Sequence, residues 1–527
     1  MVSPLSAIAE ETGGLQGIKH VLLISIDGMH ALDYANCSKG IATVNNGKPY
    51  CPNIASLGRH AVDYVAASAS QPSDSFPGLL ALVTGESTRS TGVFYDVSYD
   101  RSLSPPLRDP GTGKLISPDA CPRVKGTVVA YTETIDKGNV DGGAIHGIDQ
   151  VINPEYLPRD PKHDCSPVWP HQFLRVNTVF EVVRAAGGYT AWSDKHPSYE
   201  IVNGPSGKGL DDFYGPEIDS VVQGLPNVRG CEQVVDPTPG PTSVWEDSFQ
   251  NIQCFDRLKL QAVLNQIDGK THDGKPAAVP ELFGSSFQSV SIGEKLFEKS
   301  LNLTGGYLDS VGTPSPSLLG EIEFMDNAIG QMVHELKRQG LYESTLIVIT
   351  AKHGQSPIDP KQIIRIPPHG EAPSQILGSM VAAATEDDVS LLWLADQSQT
   401  AAAAKLLENN EALFGGGEVY SGNSLSLIFN DPKVDPRTPD ILVTPTNGVI
   451  YTGGGKKLSE HGGFSHDDTN VVMLLSNPAI RARTVTTPVR TAQVAPTILM
   501  ALGLDLHRLD SVNLEYTTPL PGLGFLH

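Results

Sequence analysis

Two apolar segments far apart in the chain each lead directly into a polar residue. Residues 21–26, with the sequence VLLISI, are followed by Asp27, and residues 345–350, with the sequence TLIVIT, lead to His353. A short run that is apolar on both faces predicts a parallel strand covered by helices on either side. The helical spacing of apolar residues over 315–339 places a long helix between the two strands. This alternation predicts an α/β fold with a doubly wound, mostly parallel sheet.

Long loops are expected around this sheet. The 527 residues include 52 Gly and 40 Pro, which favours many ordered connections over a helical bundle. We expect residues 1–17 to form a flexible lead-in and residues 18–527 to form one domain, with insertions near 97–172, 203–290 and 385–450. No segment approaches the roughly 20 apolar residues of a membrane-spanning helix, so we expect no transmembrane segment.

The chain is strongly acidic, with a formal net charge of −21 from 38 basic and 59 acidic residues. Such a charge repels a nucleic acid polymer at long range, and we expect no binding of one. The charge does not exclude a small phosphorylated molecule, because a metal ion or a lysine can reverse the field inside a cleft.

Six cysteines lie in loop-like sequence in the first half of the chain: Cys37, Cys51, Cys121, Cys165, Cys231 and Cys254. Pairing in sequence order is the simplest of the possible sets of disulfides. With glycosylation sequons at Asn36 and Asn302, the cysteines predict a secreted, disulfide-bonded glycoprotein. Six free thiols in a cytosolic protein are the alternative. The first residues lack the basic and apolar regions of a signal peptide, so we expect none in this chain.

Ser75 is the candidate nucleophile. It stands before an apolar stretch over 76–84 that predicts a short helix, with Ser75 as the expected N-cap and Pro77 in the first turn. A hydroxyl at this position is close to the positive end of the helix dipole and to free N–H groups, which favour an alkoxide and a bound phosphate. An ordinary capping serine is the alternative, and the neighbours Ser73 and Asp74 could be confused with it.

Two further polar residues lie in glycine-rich turns. Asp309 precedes the long helix, and His461 precedes a pair of glycines. If these two residues converge with Asp27, Ser75 and His353, then carboxylates, imidazoles and one hydroxyl form a metal-assisted nucleophilic site.

The order of these elements resembles the alkaline phosphatase superfamily, and most closely its type I phosphodiesterase and nucleotide pyrophosphatase branch. The motifs that carry the resemblance are Ile26-Asp27-Gly28, Asp74-Ser75-Phe76-Pro77, Val83-Thr84-Gly85, Asp309-Ser-Val-Gly-Thr313, Lys352-His353-Gly354, His461-Gly462 and a final helix in AQVAPTILMALG. The resemblance spans roughly residues 19–505. It implies helices on both faces of the sheet, a serine nucleophile, and one or two divalent ions, with zinc as the expected metal.

The ligand sets that the resemblance implies are altered at two positions. In active relatives one zinc takes Asp, His and His, and the other takes Asp, Asp, His and the nucleophile. Carried over, the first set is Asp309, Thr313 and His461, and the second is Asp27, Ser75, Lys352 and His353. Thr313 replaces a histidine and Lys352 replaces an aspartate. A neutral hydroxyl is a poor zinc ligand, and a protonated lysine cannot coordinate a metal.

Three arrangements of the metal site stay open. One ion is held by Asp27, His353 and Ser75, while Lys352 supplies positive charge to the substrate and acts in catalysis. Alternatively, one ion is held by Asp309 and His461 with other oxygen ligands. In the third arrangement metal binding and catalysis are lost.

Three further residues are predicted to contact the substrate. Asp96 falls where the resembled phosphodiesterases carry an asparagine that contacts the phosphoryl group, and Lys195 and His196 follow a short predicted strand. We expect a metal-dependent hydrolase of phosphoric esters that acts on a small phosphorylated substrate. A sulfatase- or phosphonate-directed hydrolase is one alternative, although no cysteine stands at the nucleophile position. An inactive binding protein is the other.

Overall fold

The computed structural model describes residues 17–109, 112–116, 121, 126–131, 152–233, 244–452 and 457–523. Apart from Gly17, the predicted lead-in over 1–17 lies outside these residues. The helices of the described part are α1 Ala31–Lys39, α2 Pro52–Gly58, α3 Ser75–Thr84, α4 Thr88–Thr91, α5 Pro170–Phe173, α6 Val179–Ala185, α7 Phe249–Ile267, α8 Ser289–Lys295, α9 Pro316–Arg338, α10 Pro373–Leu377, α11 Thr400–Glu408, α12 Gly422–Leu425, α13 His466–Thr469, α14 Val494–Ala501 and α15 Asp510–Leu514.

The strands of the described part are β1 His20–Ile26, β2 Ala61–Tyr64, β3 Ala67–Ser68, β4 Val97–Asp100, β5 Thr127–Ala130, β6 Arg159–Asp160, β7 Ser166–Pro167, β8 Ala191–Ser193, β9 Asp212–Tyr214, β10 Leu282–Phe287, β11 Phe297–Glu298, β12 Leu303–Thr304, β13 Thr345–Thr350, β14 Ile364–Arg365, β15 Val381–Glu386, β16 Ser390–Leu394, β17 Glu418–Ser421, β18 Ile441–Thr444, β19 Val449–Ile450, β20 Met473–Ser476, β21 Arg483–Val485 and β22 Val489–Arg490.

A central sheet of eight strands, in the order β21-β2-β20-β13-β1-β10-β8-β9, organises the fold. Strand β1 lies parallel to both β13 and β10, and β8 lies parallel to β10 and β9. Strand β20 runs antiparallel to β13 and β2. The predicted α/β fold with a mostly parallel sheet is confirmed.

Strand β1 is buried on both faces because helices cover the sheet on either side. Val21 and Leu23 point into one core, where α3, α6 and α14 pack, and Leu22, Ile24 and Ile26 point into the other, where α2, α7 and α9 pack. Each such side chain stabilises the fold by roughly 1.5–3 kcal/mol relative to an exposed one. The continuous apolar run in the sequence follows directly from this two-sided burial.

The long helix α9 confirms the predicted helix over 315–339 almost to the residue. Its N-cap is Ser315, whose hydroxyl accepts the N–H of Leu318, and Pro316 occupies the first turn, where no N–H is needed. Gly340 follows with a φ of 71°, a backbone conformation that favours glycine and ends the helix.

A second, smaller sheet lies within the predicted insertion near 385–450. Strands β15, β16, β18 and β17 form an antiparallel sheet in that order, with its own apolar core against α10 and α11. The central sheet and this small sheet have separate cores, so the insertion adds a packed unit beside the main fold.

The disulfides join Cys37 to Cys51, Cys121 to Cys165 and Cys231 to Cys254, which is the pairing in sequence order. Disulfides of this kind persist in oxidising compartments. Within the described ranges, no helix combines the length and the apolar character that crossing a bilayer requires.

Candidate functional site

Neighbouring parallel strands of the central sheet all end at one edge and deliver polar residues there. Asp27 follows β1, Lys352 and His353 follow β13, Gln288 follows β10, and Asp194 follows β8. In open α/β sheets this carboxyl edge is where ligands bind. This edge of the sheet is therefore the candidate functional site.

Helix α3 brings Ser75 to the same edge. The sequence prediction of Ser75 as N-cap is wrong by one residue, because Asp74 is the N-cap and its carboxylate accepts the N–H of Phe76 at 3.1 Å. A carboxylate satisfies the helix end as well as a hydroxyl does. Ser75 is the first residue of the helix, so its hydroxyl is not needed for capping.

The first turn of α3 offers few free donors. The Phe76 N–H is used by the Asp74 carboxylate and Pro77 has no N–H, while the N–H of Gly78 makes the first regular helix bond, to the Asp74 carbonyl at 2.8 Å. Fewer N–H groups are therefore available to a phosphate than the sequence suggested. Much of the positive charge beside Ser75 has to come from side chains.

Gly78 allows α3 to lie directly on the end of β13. A Cβ atom at this position would collide with the carbonyl oxygen of Lys352 and would come within 2.7 Å of its carbonyl carbon. Because glycine has no side chain, the first turn of α3 and the backbone of Lys352 can touch. This contact fixes Ser75 beside His353.

The hydroxyl of Ser75 has two polar partners. Its Oγ is 3.2 Å from His353 Nε2 and accepts a hydrogen bond from Lys195 Nζ at 3.2 Å. The other ring nitrogen of His353, Nδ1, lies 2.9 Å from the Gly354 carbonyl, which can only accept. In neutral His353 the proton is therefore on Nδ1, and Nε2 is free to accept the proton of Ser75.

Asp27 is buried among donors. Its Oδ2 accepts from Gln288 Nε2 at 2.9 Å and lies 3.1 Å from Lys352 Nζ and 3.7 Å from His353 Nε2. Burial opposes ionisation, but Lys352 and His353 outweigh it and hold the pKa of the Asp27 carboxyl far below its usual range. Asp27 is therefore a carboxylate at every working pH.

Lys352 is fully buried between two carboxylates. Its Nζ is 3.1 Å from Asp27 Oδ2 and 3.3 Å from Asp194 Oδ1, and it lies 4.6 Å from the centre of the Tyr199 ring. Asp194 is held in place by the indole N–H of Trp192, which donates to its Oδ2 at 3.0 Å. Lys352 is thus the counter-ion of two aspartates rather than a group facing solvent.

Lys195 is the cation that reaches the nucleophile. Its side chain is only partly buried. Burial opposes its charge, but Asp27, Glu246 and Asp74 outweigh burial and raise the pKa of the Lys195 ammonium. Lys195 stays protonated while it donates to Ser75. We call Asp27, Ser75, Lys195, Lys352 and His353 the nucleophile cluster.

His461 lies beside the nucleophile cluster. Its ring centre is 4.3 Å from that of His353, and its Nδ1 is 3.5 Å from Asp74 Oδ1. Burial and the positive charges of His353, Lys295 and Lys195 hold the pKa of His461 well below its ordinary value. His461 is therefore a neutral imidazole at neutral pH.

Two predicted substrate residues have different surroundings. The Asp96 N–H donates to Asp74 Oδ2 at 3.1 Å, which places Asp96 next to the residue before the nucleophile. His196 is 2% exposed, and its Nδ1 lies 2.8 Å from Glu217 Oε1. The structure brings Asp96 to the rim of the site and buries His196 behind it.

Asp309 lies apart from these contacts. Its Oδ1 accepts the N–H groups of Val311 at 3.1 Å and Thr313 at 3.0 Å, so the carboxylate closes its own turn. Among the described residues, no hydrogen bond, ion pair or ring contact joins Asp309 to Asp27, Ser75, His353 or His461. The other four predicted metal ligands are linked by such contacts, and the role of Asp309 as a metal ligand stays a prediction.

The two-ion centre implied by the resemblance does not fit these residues. The first set lacks an assembled Asp309, and Thr313 offers no imidazole. In the second set, Ser75 Oγ, His353 Nε2 and Asp27 Oδ2 are close enough for one ion, with separations of 3.2 and 3.7 Å. However, Lys195 donates to the first oxygen and Lys352 pairs with the second.

Elsewhere in the described part, two groups have the spacing of metal ligands, the first fully buried and the second buried except at Asp219. They are His30 with Asp33 and Glu294, and His196 with Glu217 and Asp219. Carboxylate and imidazole groups that could hold a metal are therefore present in the chain, but neither group includes the nucleophile.

The sequence interpretation missed Asp194 and Gln288 as site residues. Each directly follows a strand, as Asp27 does, and that position was the available signal. Strand β8 has only three residues, too few to show a period, so the sequence did not mark its end clearly.

Solved structures with the same fold include ectonucleotide pyrophosphatase / phosphodiesterase 5 from two species. The murine protein, as an inactive variant in complex with AMP, matches with a TM-score of 0.55 and 13% identity over 93% of this chain and 96% of that one. A second murine structure matches with a TM-score of 0.55 and 13% identity over 92% and 96% of the two chains. The human protein matches with a TM-score of 0.51 and 14% identity over 96% and 97%. At these identities the likeness establishes the fold.

Family membership comes from the sequence itself. No curated protein matches the chain. The family model of type I phosphodiesterase / nucleotide pyrophosphatase matches residues 21–122 and 293–467, more than half of the chain. The matched residues include the segments that carry Asp27, Ser75, His353 and His461. The chain therefore belongs to the type I phosphodiesterase / nucleotide pyrophosphatase family of phosphoric ester hydrolases.

Proposed function

We propose that this chain hydrolyses phosphoric diesters or pyrophosphates of small molecules, nucleotides among them, with Ser75 as the nucleophile. The observation that carries the proposal is the hydroxyl of Ser75 between His353 Nε2 and Lys195 Nζ, 3.2 Å from each. The AMP complex of the murine structural neighbour supports a nucleotide as the first substrate to test.

In the first step, Ser75 Oγ attacks phosphorus in line with the leaving oxygen. As the new P–O bond forms, the hydroxyl proton passes to His353 Nε2, and the bond to the leaving oxygen breaks. Asp27 Oδ2, 3.7 Å from that nitrogen, stabilises the imidazolium that results. The products of this step are a phosphoryl-serine and the leaving group, which departs as a phosphate or, after taking a proton from solvent, as an alcohol.

Lys195 stabilises the charge that builds up at the reacting centre. Its ammonium donates to Ser75 Oγ before attack, which favours the alkoxide, and from this position it can also donate to a nonbridging oxygen of a phosphoryl group bonded to Ser75. The first turn of α3 has few donors left, so this cation carries a larger share than it would beside an unused helix end.

The second step hydrolyses the phosphoryl-serine and regenerates the free hydroxyl of Ser75. Water attacks the phosphoryl-serine on the side that the leaving group has left, and the bond to Ser75 Oγ breaks. The proton that His353 took up in the first step returns to Ser75 Oγ, while the attacking water gives its proton to solvent or to the phosphate product. A neutral His461 next to His353 can accept a hydrogen bond from that water.

The sequence predictions of a metal cofactor and of zinc as that metal stay predictions. The family is metal-dependent, and one ion could in principle be held by Asp27, Ser75 and His353. No step above is assigned to an ion, because two lysines hold two of those three ligand atoms. Sulfate and phosphonate esters are alternative substrates for the same nucleophile, but no observation in the site favours them.

We also propose that the protein is secreted and glycosylated and that residues 18–527 act as one catalytic domain. Three disulfides support an oxidising compartment, and Asn36 and Asn302 are in glycosylation sequons. A mass difference before and after enzymatic removal of N-linked sugars, measured on protein from a secreting host, tests the glycosylation.

Replacing Ser75 with Ala tests the proposal. We expect kcat for a chromogenic nucleotide diester to fall by at least about 10³-fold, because within the described ranges no other hydroxyl hydrogen-bonds to both His353 and Lys195. Ser73→Ala is the matched control, since the Ser73 hydroxyl donates to the Asp468 carbonyl and lies outside the proposed chemistry. Full activity of Ser75→Ala, with an unchanged melting temperature, would rule out the nucleophile.

A further inference from the structure

Lysine ammonium groups contact the two oxygens, on Asp27 and Ser75, that a catalytic metal would bind. Lys352 Nζ is 3.1 Å from Asp27 Oδ2, and Lys195 Nζ is 3.2 Å from Ser75 Oγ. In the ligand set that the family implies, Asp27 and Ser75 supply the oxygens of the second ion. Both oxygens already have a cationic donor in this chain.

We infer that the ammonium groups of Lys352 and Lys195 replace the metal at this site, so that the chain hydrolyses phosphoric esters without a bound divalent ion. The inference rests on the proposed function, because it concerns how charge is balanced in that same reaction. It assigns Lys352 to the buried aspartates and Lys195 to the nucleophile.

Lys352 is enclosed by the protein on several sides. Its side chain is fully buried, pairs with Asp27 and Asp194, and lies over the Tyr199 ring, while Gly78 is against its backbone. A zinc ion about 2 Å from Asp27 Oδ2 would stand no more than about 5 Å from Nζ. Two cations so close in a site with little water repel each other strongly.

The buried lysines beneath the nucleophile already have carboxylate partners. Lys352 pairs with Asp27 and Asp194, and another buried lysine, Lys259, pairs with Asp256 at 3.0 Å. Asp256 also accepts the N–H of Gln288, whose side chain donates to Asp27. A divalent ion at Asp27 would bring two further positive charges next to these ammonium groups, in a site with little water to screen them.

Lys195 can supply at the nucleophile the positive charge that a metal ion supplies in other members of the family. An ammonium has three donors and a full charge, so it can contact both the serine oxygen and a phosphoryl oxygen. Its side chain is partly exposed, as a group that meets substrate must be. Lys352 instead keeps Asp27 and Asp194 neutralised in the interior.

The test compares wild type with Lys352→Asp, which returns the carboxylate that the family carries at this position. Lys48→Asp, a change of the same charge at an exposed loop residue, is the matched control. Each full-length protein is purified without chelator or metal resin. Metal content is measured by inductively coupled plasma mass spectrometry, and melting temperature is measured with zinc chloride and with a chelator.

For wild type and Lys48→Asp we expect less than about 0.1 divalent ion per chain and no change of melting temperature with zinc. We expect turnover to stay within about twofold after chelator treatment. Lys352→Asp leaves Asp27 and Asp194 without a counter-ion, so we expect it to bind about one zinc ion and to melt about 5 °C higher or more with zinc than with chelator.

A wild type that holds a tightly bound ion, and that loses turnover when the ion is removed, overturns the inference while leaving the proposed function intact. A wild type without metal that hydrolyses no phosphoric ester overturns the proposed function, while the gain of zinc binding by Lys352→Asp still supports the replacement of the metal. If Lys352→Asp does not fold, the metal content and chelator resistance of wild type decide the question.

Discussion

Two buried polar clusters lie behind the same edge of the sheet, and they balance their charges differently. The nucleophile cluster balances its carboxylate with the ammonium groups of two lysines. The inner cluster, made of His30, Asp33, Glu294 and Tyr307, contains no lysine and relies on shared protons. The segments 27–30 and 353–355 contribute to both clusters.

The inner cluster shows why shared protons are needed. The Tyr307 hydroxyl is 2.8 Å from Glu294 Oε1 and 2.9 Å from Asp33 Oδ1, yet it has a single proton to donate. Burial opposes the charge of His30, but Glu294 and Asp33 outweigh it and raise the pKa of that imidazole. Burial also raises the pKa of the Glu294 carboxyl to about 7.

The two clusters therefore have different expected roles, the nucleophile cluster in catalysis and the inner cluster in stability. The nucleophile cluster includes an alcohol, a base and a partly exposed cation, whereas the residues of the inner cluster are all buried. Carboxylates and an imidazole at ligand spacing are therefore not enough to mark a catalytic site. We expect changes in the first cluster to affect turnover and changes in the second to affect stability.

The largest effect is expected for His353→Ala. Loss of the base that takes the Ser75 proton should lower kcat by about 10²–10⁴-fold. Added imidazole should restore part of the activity, because a small base can enter the space left by the ring, and a structural defect would not respond in this way. Activity within tenfold of wild type would show that His353 is not the base.

A smaller effect, on stability alone, is expected for Tyr307→Phe. Removing the hydroxyl leaves Asp33 and Glu294 without a shared donor and should lower the free energy of unfolding by about 1–3 kcal/mol. Chemical denaturation followed by fluorescence measures the change, and kcat should stay within about twofold. A large drop in kcat with unchanged stability would contradict the assignment of this cluster to support.

The smallest effect is a change in how stability depends on pH. The pKa of Glu294 is about 7 in the folded protein against 4.5 ordinarily, so the folded state holds an extra proton between these values. Stability from this group is therefore full below pH 4.5 and falls as pH rises towards 7.

Glu294→Gln should remove this part of the pH dependence. Between pH 4.5 and 7 we expect wild type to lose about 1–3 kcal/mol relative to the variant. Unfolding free energies measured across that range give the difference, and parallel curves for the two proteins would show that Glu294 does not titrate there.

The part of the nucleophile cluster that lies at the ends of strands could be predicted from the sequence. Asp27 and His353 follow long buried strands, and parallel strands bring their carboxyl ends together, so the convergence of these residues with Ser75 could be expected. Their roles in catalysis stay predictions.

Two other features of the site depend on more than the ends of strands. Asp309 matches a motif in sequence, but it lies on a turn that no strand holds in place, and its carboxylate hydrogen-bonds within that turn. The position of Lys352 between Asp27 and Asp194 depends on the meeting of β13, β1 and β8 in three dimensions, which residue spacing does not encode.

The reacting groups stand at strand ends and at the start of a helix, while long connections such as 215–233 and 268–281 run between other elements of the described part. A connection can lengthen or change composition without shifting a strand end. Substrate specificity can therefore change between relatives while the catalytic residues keep their positions. Two chains that catalyse the same reaction can in this way come to accept very different molecules.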